Sequence, residues 1–423
     1  MSGAVFTVGV LVLATIGLIF WAVRDNAHRL VVDYAMEHRR FKTTGSKVGL
    51  ALFTLLFISL PVGFSWIGVG KYHLPRELVP GLPFNDKWLY VGMLAAVYAI
   101  AAIGLNLLIG NTGQISLGHS GFIALGAYST GYFGTDLTIG GKHLPSVLWL
   151  LIAAVLGAIV GAVIGPFALR LRGNYLAMVS ILLVVGAQHI AKNWVSLTGG
   201  ESEPRNDLPG FVFSIWPGKS IRFSDSGETS FFDTFFFTKS QGYFWLCWAV
   251  AAFCAVLARN LLRSRQGRAM MAVRDRDLSS EIIGVRQMYT KTWAFAVSGA
   301  FASLAGALYA SYLGNVQPAS FGLDFSILFI VMIVIGGVGS VQGSVLGAIA
   351  VASLRDVVRS GEGLLSHVPL VQLDPAKRGL TLDALSSIIY GLLLVLFLVY
   401  FPTGLGGLWA RLRRSLATWP FRP

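Results

Sequence analysis

Charged side chains are scarce in this sequence. Only 13% of its 423 residues are Asp, Glu, Lys or Arg, against about a quarter in soluble proteins, and a surface so poor in charge cannot keep a chain of this size in water. Cysteine is nearly absent too. Cys247 and Cys254 are the only two; seven positions along one helix set them about 10 Å apart on its axis, too far for a disulfide. Two cysteines also make no cysteine-based metal site. A nucleotide-binding loop is missing. The pattern Gly-x-x-x-x-Gly-Lys-Ser/Thr has its nearest match at Gly218, Lys219 and Ser220, with Phe213 where the first glycine belongs. Ionisable residues are almost lacking from the apolar runs, where Lys192 and Asp383 stand only near the ends. Paired catalytic groups are therefore absent, and so are the buried charges that ion-coupled carriers use. The net charge of +13 forms no continuous stripe, which argues against a nucleic-acid partner.

What the chain has is apolar length: 55% of it is hydrophobic. A bilayer core needs about 20 apolar residues in a helix, which predicts spans near 5–23, 48–68, 88–109, 146–169, 174–195, 242–262, 292–313 and 380–401. The first of these lacks a small-residue cleavage site and reads as a retained span rather than a signal peptide. Lys and Arg favour cytoplasmic loops. With the N-terminus outside, segments 24–47, 170–172, 263–291 and 411–423 face the cytoplasm and carry 19 basic residues in 69 positions, against 13 in about 116 on the other side. This parity requires two glycine-rich stretches, 110–132 and 325–358, to turn back to the side they came from. The expected fold is an all-α, polytopic membrane bundle of about ten membrane segments, two glycine-broken hairpins among them. Its divisions are a two-span extension over 1–87, a core over 88–402 and a basic cytoplasmic tail over 403–423. The longest outer connection, 196–241, reads either as a docking surface or as a plain loop.

Each glycine break groups polar side chains. The first has Gly110, Gly113 and Gly118 with Gln114, Ser116, His119 and Ser120; the second has Gly336, Gly337 and Gly339 with Ser340 and Gln342. Unwound backbone is tolerated in a membrane only where protein or a water-filled cavity covers it, and interrupted helices in corresponding halves of a transporter point to its path. The six polar residues are thus candidates for a translocation path and the six glycines for hinges. His119 has a simpler reading as a helix cap or a partner of a carbonyl. Gly157, Gly161 and Gly165 form one small-residue stripe, and Gly299, Ser303, Gly306 and Ala310 another; both predict helix packing and no chemistry. The basic segment 264–284 reads as a short surface helix ending at Gly284, with Ala272, Val273, Leu278, Ile282 and Ile283 among charged residues. Such a helix fits either a partner's groove or the lipid headgroups.

The last segment resembles the coupling segment of the branched-chain amino acid ABC importer permeases, in particular the LivM-like subunit. It opens with Gly267, Arg268 and Ala269, continues through a charged stretch and closes on Gly284. The likeness extends over roughly 100–350: Gly-Gln-Ile-Ser-Leu-Gly-His at 113–119 with Gly126, Ala127 and Tyr128; Leu-Arg-Leu-Arg-Gly at 169–173 with Tyr175, Leu176 and Ala177; Asn193 and Trp194 with Leu-Thr-Gly-Gly at 197–200; the stretch 294–309; Pro-Ala-Ser-Phe at 318–321; and Gly-Gly-x-Gly-Ser at 336–340. The chain departs from the family at Leu182, Leu183, Val184 and Val185, where Gly-Phe-Gly-Glu is usual, and at Gln188, where Arg is common. Further departures fall at Glu201, Ser202 and Glu203 in place of Pro-Asn-Gly, and at Ser279 and Ser280 in place of Ala. These bear on the solute more than on the permease role.

The resemblance implies a non-catalytic permease in the bacterial inner membrane. It implies a second, LivH-like permease, two cytoplasmic ATPase subunits that bind ATP and Mg, an extracytoplasmic solute-binding protein, and contact with membrane lipid. It also gives Gly267, Arg268, Ala272, Arg274, Asp277, Ile282 and Gly284 the role of coupling to the ATPases. The competing class is an ion-coupled secondary carrier or channel for a small polar solute. The topology has a direct test: Ser279→Cys should react with an impermeant thiol reagent in inside-out vesicles and stay unlabelled in intact cells.

Overall fold

The computed structural model describes residues 86–139, 142–167, 174–200, 205, 208–216, 219–222, 229–231, 235–237 and 239–360, together with 68–69, 72–73, 388, 391–392, 395 and 404–407. The expected span at 5–23, most of the one at 380–401, nearly all of the one at 48–68 and most of the C-terminal tail lie outside the described residues.

Among the described residues eleven α-helices follow one another: α1 (Asp86–Thr112), α2 (His119–Gly131), α3 (Ser146–Ile164), α4 (Asn174–Asn193), α5 (Val195–Thr198), α6 (Lys239–Arg263), α7 (Arg265–Asp275), α8 (Asp277–Ile282), α9 (Gln287–Leu313), α10 (Leu323–Gly336) and α11 (Val341–Ser360). Five of them, α1, α3, α4, α6 and α9, are long and apolar enough to cross a membrane. They match the spans expected near 88, 146, 174, 242 and 292. The pair α10 and α11 bends by 119° across its break, so 325–358 is two helices and not one. The chain is a polytopic helical bundle. Its strands are short and confined to the connections. Four of them, Gly68–Val69, Tyr72–His73, Thr229–Phe231 and Phe235–Phe237, make one antiparallel sheet, and Val212–Trp216 pairs with Lys219–Arg222. The connection 196–241 is thus partly β-structured, because its runs of Phe, Val and Ile suit a half-covered pleated surface.

Helices α1 and α9 form the centre. Along α1 nearly every side chain from Trp88 to Leu108 is buried, and its alanine-rich sequence lets neighbours approach from all sides. Around them, α3, α4 and α6 expose broad apolar faces, among them Val155, Ile159 and Val163, then Met178, Leu182 and Val185, then Phe253, Val256 and Leu257. Such patches are stable only against lipid or a partner. The two small-residue stripes meet each other. A Cβ placed on Gly157 would lie 2.3 Å from the Gly299 carbonyl oxygen, and one on Gly161 would lie 2.3 Å from that of Phe295. Further along α9, a Cβ on Gly306 would lie 2.0 Å from the Ile123 carbonyl, so α9 is clamped between α3 and α2 by backbone against backbone.

The outer connections are stitched down by polar contacts. Arg205 forms an ion pair with Asp136, donates to the Thr135 hydroxyl at 3.2 Å and bonds the Leu197 carbonyl. Nearby, the Tyr243 hydroxyl accepts from the Phe211 amide at 2.9 Å, and the Ser311 hydroxyl donates to the Pro209 carbonyl at 2.8 Å. The opposite end of the bundle gathers the C-termini of α1, α3, α6 and α10 with the N-termini of α4, α9 and α11, whereas α2 starts deeper, beside Ala101 and Ser326.

Packing this tight has a measurable consequence. Gly306→Val forces atoms into backbone and should lower stability by about 1–3 kcal/mol or more, read as a lower unfolding midpoint in detergent. Gly186→Ala on α4, where an added Cβ meets nothing within 4 Å, should leave the midpoint unchanged or raise it slightly.

Candidate functional site

The two glycine breaks come together at one place. Helix α1 ends where Gly113 adopts φ +71°, and α10 ends at Gly337 with φ +115°, followed by Gly339 at φ +86°; these left-handed values favour glycine because a Cβ would clash with the backbone. A Cβ on Gly110 would lie 2.4 Å from the Gly339 nitrogen, so the two breaks are in backbone contact. Within the second break a Cβ on Gly336 would sit 1.9 Å from the Gly343 carbonyl. A third piece of chain joins them: Gly404 (φ +62°) abuts Gly337, and Gly406 abuts Gly336 and Ser340.

Asn106 ties the junction together. It is 1% exposed, its Nδ2 donates to the Ser340 carbonyl at 2.9 Å and the Ser344 hydroxyl at 2.7 Å, and its Oδ1 accepts from the Gly339 amide at 2.7 Å. The sequence reading did not name it. The signal was present, since Asn106 is an amide inside the apolar run from 88 to 109, near its end, and polar residues within a membrane segment usually have a task.

Of the six polar residues expected along a path, four lie in the first break. His119 Nε2 bonds the Ala101 carbonyl at 2.8 Å, and its ring meets Phe329 edge-on, which is the simpler reading given above. Ser120 is joined to α10, its amide donating to the Ser326 hydroxyl at 2.9 Å and the two hydroxyls bonding at 2.7 Å. Ser116 Oγ accepts from the Gly118 amide at 3.3 Å. Gln114 is buried and neither of its amide atoms has a protein partner. Gly118 packs on α4, where a Cβ would lie 2.7 Å from the Ser180 carbonyl, and the Ser180 hydroxyl accepts from the Leu117 amide at 2.7 Å. In the second break, Ser340 Oγ accepts from the Gly343 amide at 3.1 Å, and Gln342 is half-buried in the first turn of α11. Ser180, Ser326 and Ser344 were also missed; serine is common in membrane helices, and nothing in their spacing sets these three apart.

The basic segment is two helices, not the one expected, because Arg276 is extended (φ −155°, ψ 108°) between α7 and α8. Ser264 caps α7 through the Gly267 amide, and Gly267 lies so close to α6 that a Cβ would be 2.4 Å from the Leu261 carbonyl. Met270 is buried with Leu108, Leu176, Ala294 and Phe295, and Val273 is buried as well, so this face of α7 is pressed into the chain's own bundle and does not face outward. Ala272 is half-buried and Arg268 is exposed, donating to the Arg263 carbonyl. Arg274 reaches into the junction, donating to the Gly110 carbonyl oxygen. Its guanidinium lies 3.2 Å from the position of a Cβ on Gly339. Beyond the break, Asp277 starts α8, Ile282 is 86% and Ile283 74% exposed, and Gly284 turns the chain at φ +86°.

Among the described residues no group of three His, Cys, Asp or Glu could hold a metal. The arrangement offers a packed crossing of two helix breaks, gripped from one side by a surface helix.

Comparison with known proteins gives this geometry a context. The family described as "Branched-chain amino acid transport system / permease component" matches residues 88–398. The high-affinity branched-chain amino acid transport permease LivM of Escherichia coli is 30% identical over 363 residues, 78% of this chain and 82% of that protein. LivH of the same organism is 27% identical over 265 residues, 60% of this chain and 80% of that protein. A LivM described as probable, from Methanocaldococcus jannaschii, is 22% identical over 341 residues, covering 73% and 90%. No solved structure gives a significant match. With the family matched across most of its length and 30% identity to one member over more than three quarters of it, the chain belongs to the branched-chain amino acid transport permease family.

Proposed function

We propose that this permease is one membrane subunit of an ATP-driven importer in the bacterial inner membrane that carries branched-chain or related amino acids. It works beside a second, LivH-like permease, with two cytoplasmic ATPase subunits that bind ATP and Mg and an extracytoplasmic protein that delivers the solute. The observation that carries this reading is the reach of Arg274 from the basic segment to the Gly110 carbonyl, at the crossing of the two breaks. A segment docked on one side to a motor and on the other to the bundle's irregular backbone is what coupling requires.

In this reading the segment divides its labour. Helix α7 belongs to the bundle through Met270 and Val273. Helix α8 and the turn at Gly284 belong to the ATPase, with Ile282 and Ile283 as the apolar anchors and Arg268 and Asp277 among the polar residues around them. The six glycines are hinge points, since two of the breaks' conformations must differ in backbone alone. His119, Ser120 and Ser116 hold the first break in place, and Gln114, Ser340 and Gln342 remain the residues for the solute path. Gln114 has the chemistry for it: a buried amide without a partner costs about 1–3 kcal/mol, which a passing polar solute would relieve.

Two measurements test the assignment. The ATPase subunits should copurify with the wild-type chain, and the pair Ile282→Asp with Ile283→Asp should abolish that copurification without loss of folded permease. Replacing Arg268 by Ala or Gly284 by Val should leave the complex assembled and reduce uptake of radiolabelled leucine in reconstituted vesicles while ATP hydrolysis continues. Wild-type uptake by both variants would remove the segment's coupling role.

A further inference from the structure

We infer that Asn106 is a positioning residue that makes the two glycine breaks a single rigid body, and that Arg274 is the arm through which the basic segment moves that body. The inference rests on the importer reading and adds to it a specific linkage inside the chain.

Three observations carry it. Asn106 directs three side-chain hydrogen bonds to the second break: two donations, to the Ser340 carbonyl and the Ser344 hydroxyl, and one acceptance, from the Gly339 amide. It stands on α1, one turn before Gly110, so a rotation of α1 at the first break must pull the second break with it. Second, there is no slack between the breaks: a Cβ on Gly110 would lie 2.2 Å from the Asn106 Oδ1 and 2.4 Å from the Gly339 nitrogen. Backbone packed this closely transmits displacement because a dense interior is bistable rather than compliant. Third, Arg274 touches both halves, bonding the Gly110 carbonyl while its guanidinium lies against Gly339. Met270, one turn back on the same helix, is locked against Leu108.

The alternative is that Asn106 merely satisfies buried backbone, as any polar residue in a helix break must. The two differ in what a loss of Asn106 does. A structural role lowers the amount of folded complex and scales uptake and hydrolysis together. A positioning role changes their ratio.

The experiment uses the assembled importer in proteoliposomes. Ile115 (45% exposed) and Val338 (44% exposed) stand on the two breaks, so Ile115→Cys with Val338→Cys carries a pair of spin labels, while the native Cys247 and Cys254 are buried. With Asn106 present the labels should give one narrow distance that is the same in the nucleotide-free and ATP-trapped states. Asn106→Ala should broaden it and make it state-dependent, with uptake per ATP hydrolysed falling roughly tenfold, within the range of couplings between sites. If Asn106→Ala does not assemble, Asn106→Asp, which keeps the acceptor for Gly339 and loses both donations, carries the same expectation. Arg274→Ala should keep the narrow distance and still lower uptake per ATP, with partial recovery in Arg274→Lys. The double variant Asn106→Ala with Arg274→Ala should be no worse than the poorer single one, because residues acting as a unit are non-additive. An unchanged distance and unchanged uptake per ATP in the single variants would overturn the inference. If that happened while the ATPases still copurified with the wild-type chain, the linkage alone would fall and the importer assignment would stand.

Discussion

Lipid supplies no hydrogen-bond partner, so every backbone group freed by a helix break must find one inside the protein. Two breaks in one bundle double the demand, and this chain meets it by letting the breaks serve each other. The Gly339 amide, which a continuous helix would have satisfied, is taken by the oxygen of the Asn106 amide, while its nitrogen adds a bond to the Ser340 carbonyl, which also accepts from the Ser344 amide. The Gly110 carbonyl is taken by Arg274. The turn at Gly404 and Gly406 closes the far side with backbone. Given this crossing, α10 and α11 must run back from the end at which α1 stops, and the basic segment must lie against that same end.

The small residues follow from the same economy. In a medium where apolar burial gives little drive between helices, association depends on close approach and dispersion. The Gly157 and Gly161 stripe against Gly299 and Phe295 brings α3 onto α9 at backbone distance, and Gly306 does the same for α2. This fixes α9 so firmly that the mobile parts of the bundle must lie elsewhere. In the proposed linkage, what remains adjustable is the seat of the crossing as a whole, which shifts as one piece against the fixed helices. A permease that alternates between two states needs one rigid region and one that can repack, and the division between them runs along α1.

The basic segment shows how a surface helix can be divided between two neighbours. Its amphipathic pattern fits a partner's groove or a membrane surface, and the structure adds the chain's own bundle as the site of Met270 and Val273. The extended Arg276 separates that inward-facing helix from the outward-facing turn at Ile282 and Ile283. One-dimensional periodicity treats 264–284 as a single stripe because it has no knowledge of which neighbour each turn meets.

By itself the sequence determined that the chain is a membrane bundle, where five of its long helices lie, that 325–358 is broken rather than continuous, and which small-residue faces pack. These are properties of local composition: apolar length, glycine density and the three- and four-residue spacing of small side chains are written in adjacent positions. Only the tertiary structure decided that the two breaks are one site, since Asn106 and Ser344 are 238 positions apart and nothing local links them. It also decided that His119 and Ser120 face the chain's own interior, because a polar side chain in a membrane segment takes whichever partner the folded neighbours bring within about 3 Å, and the identity of those neighbours is a long-range fact.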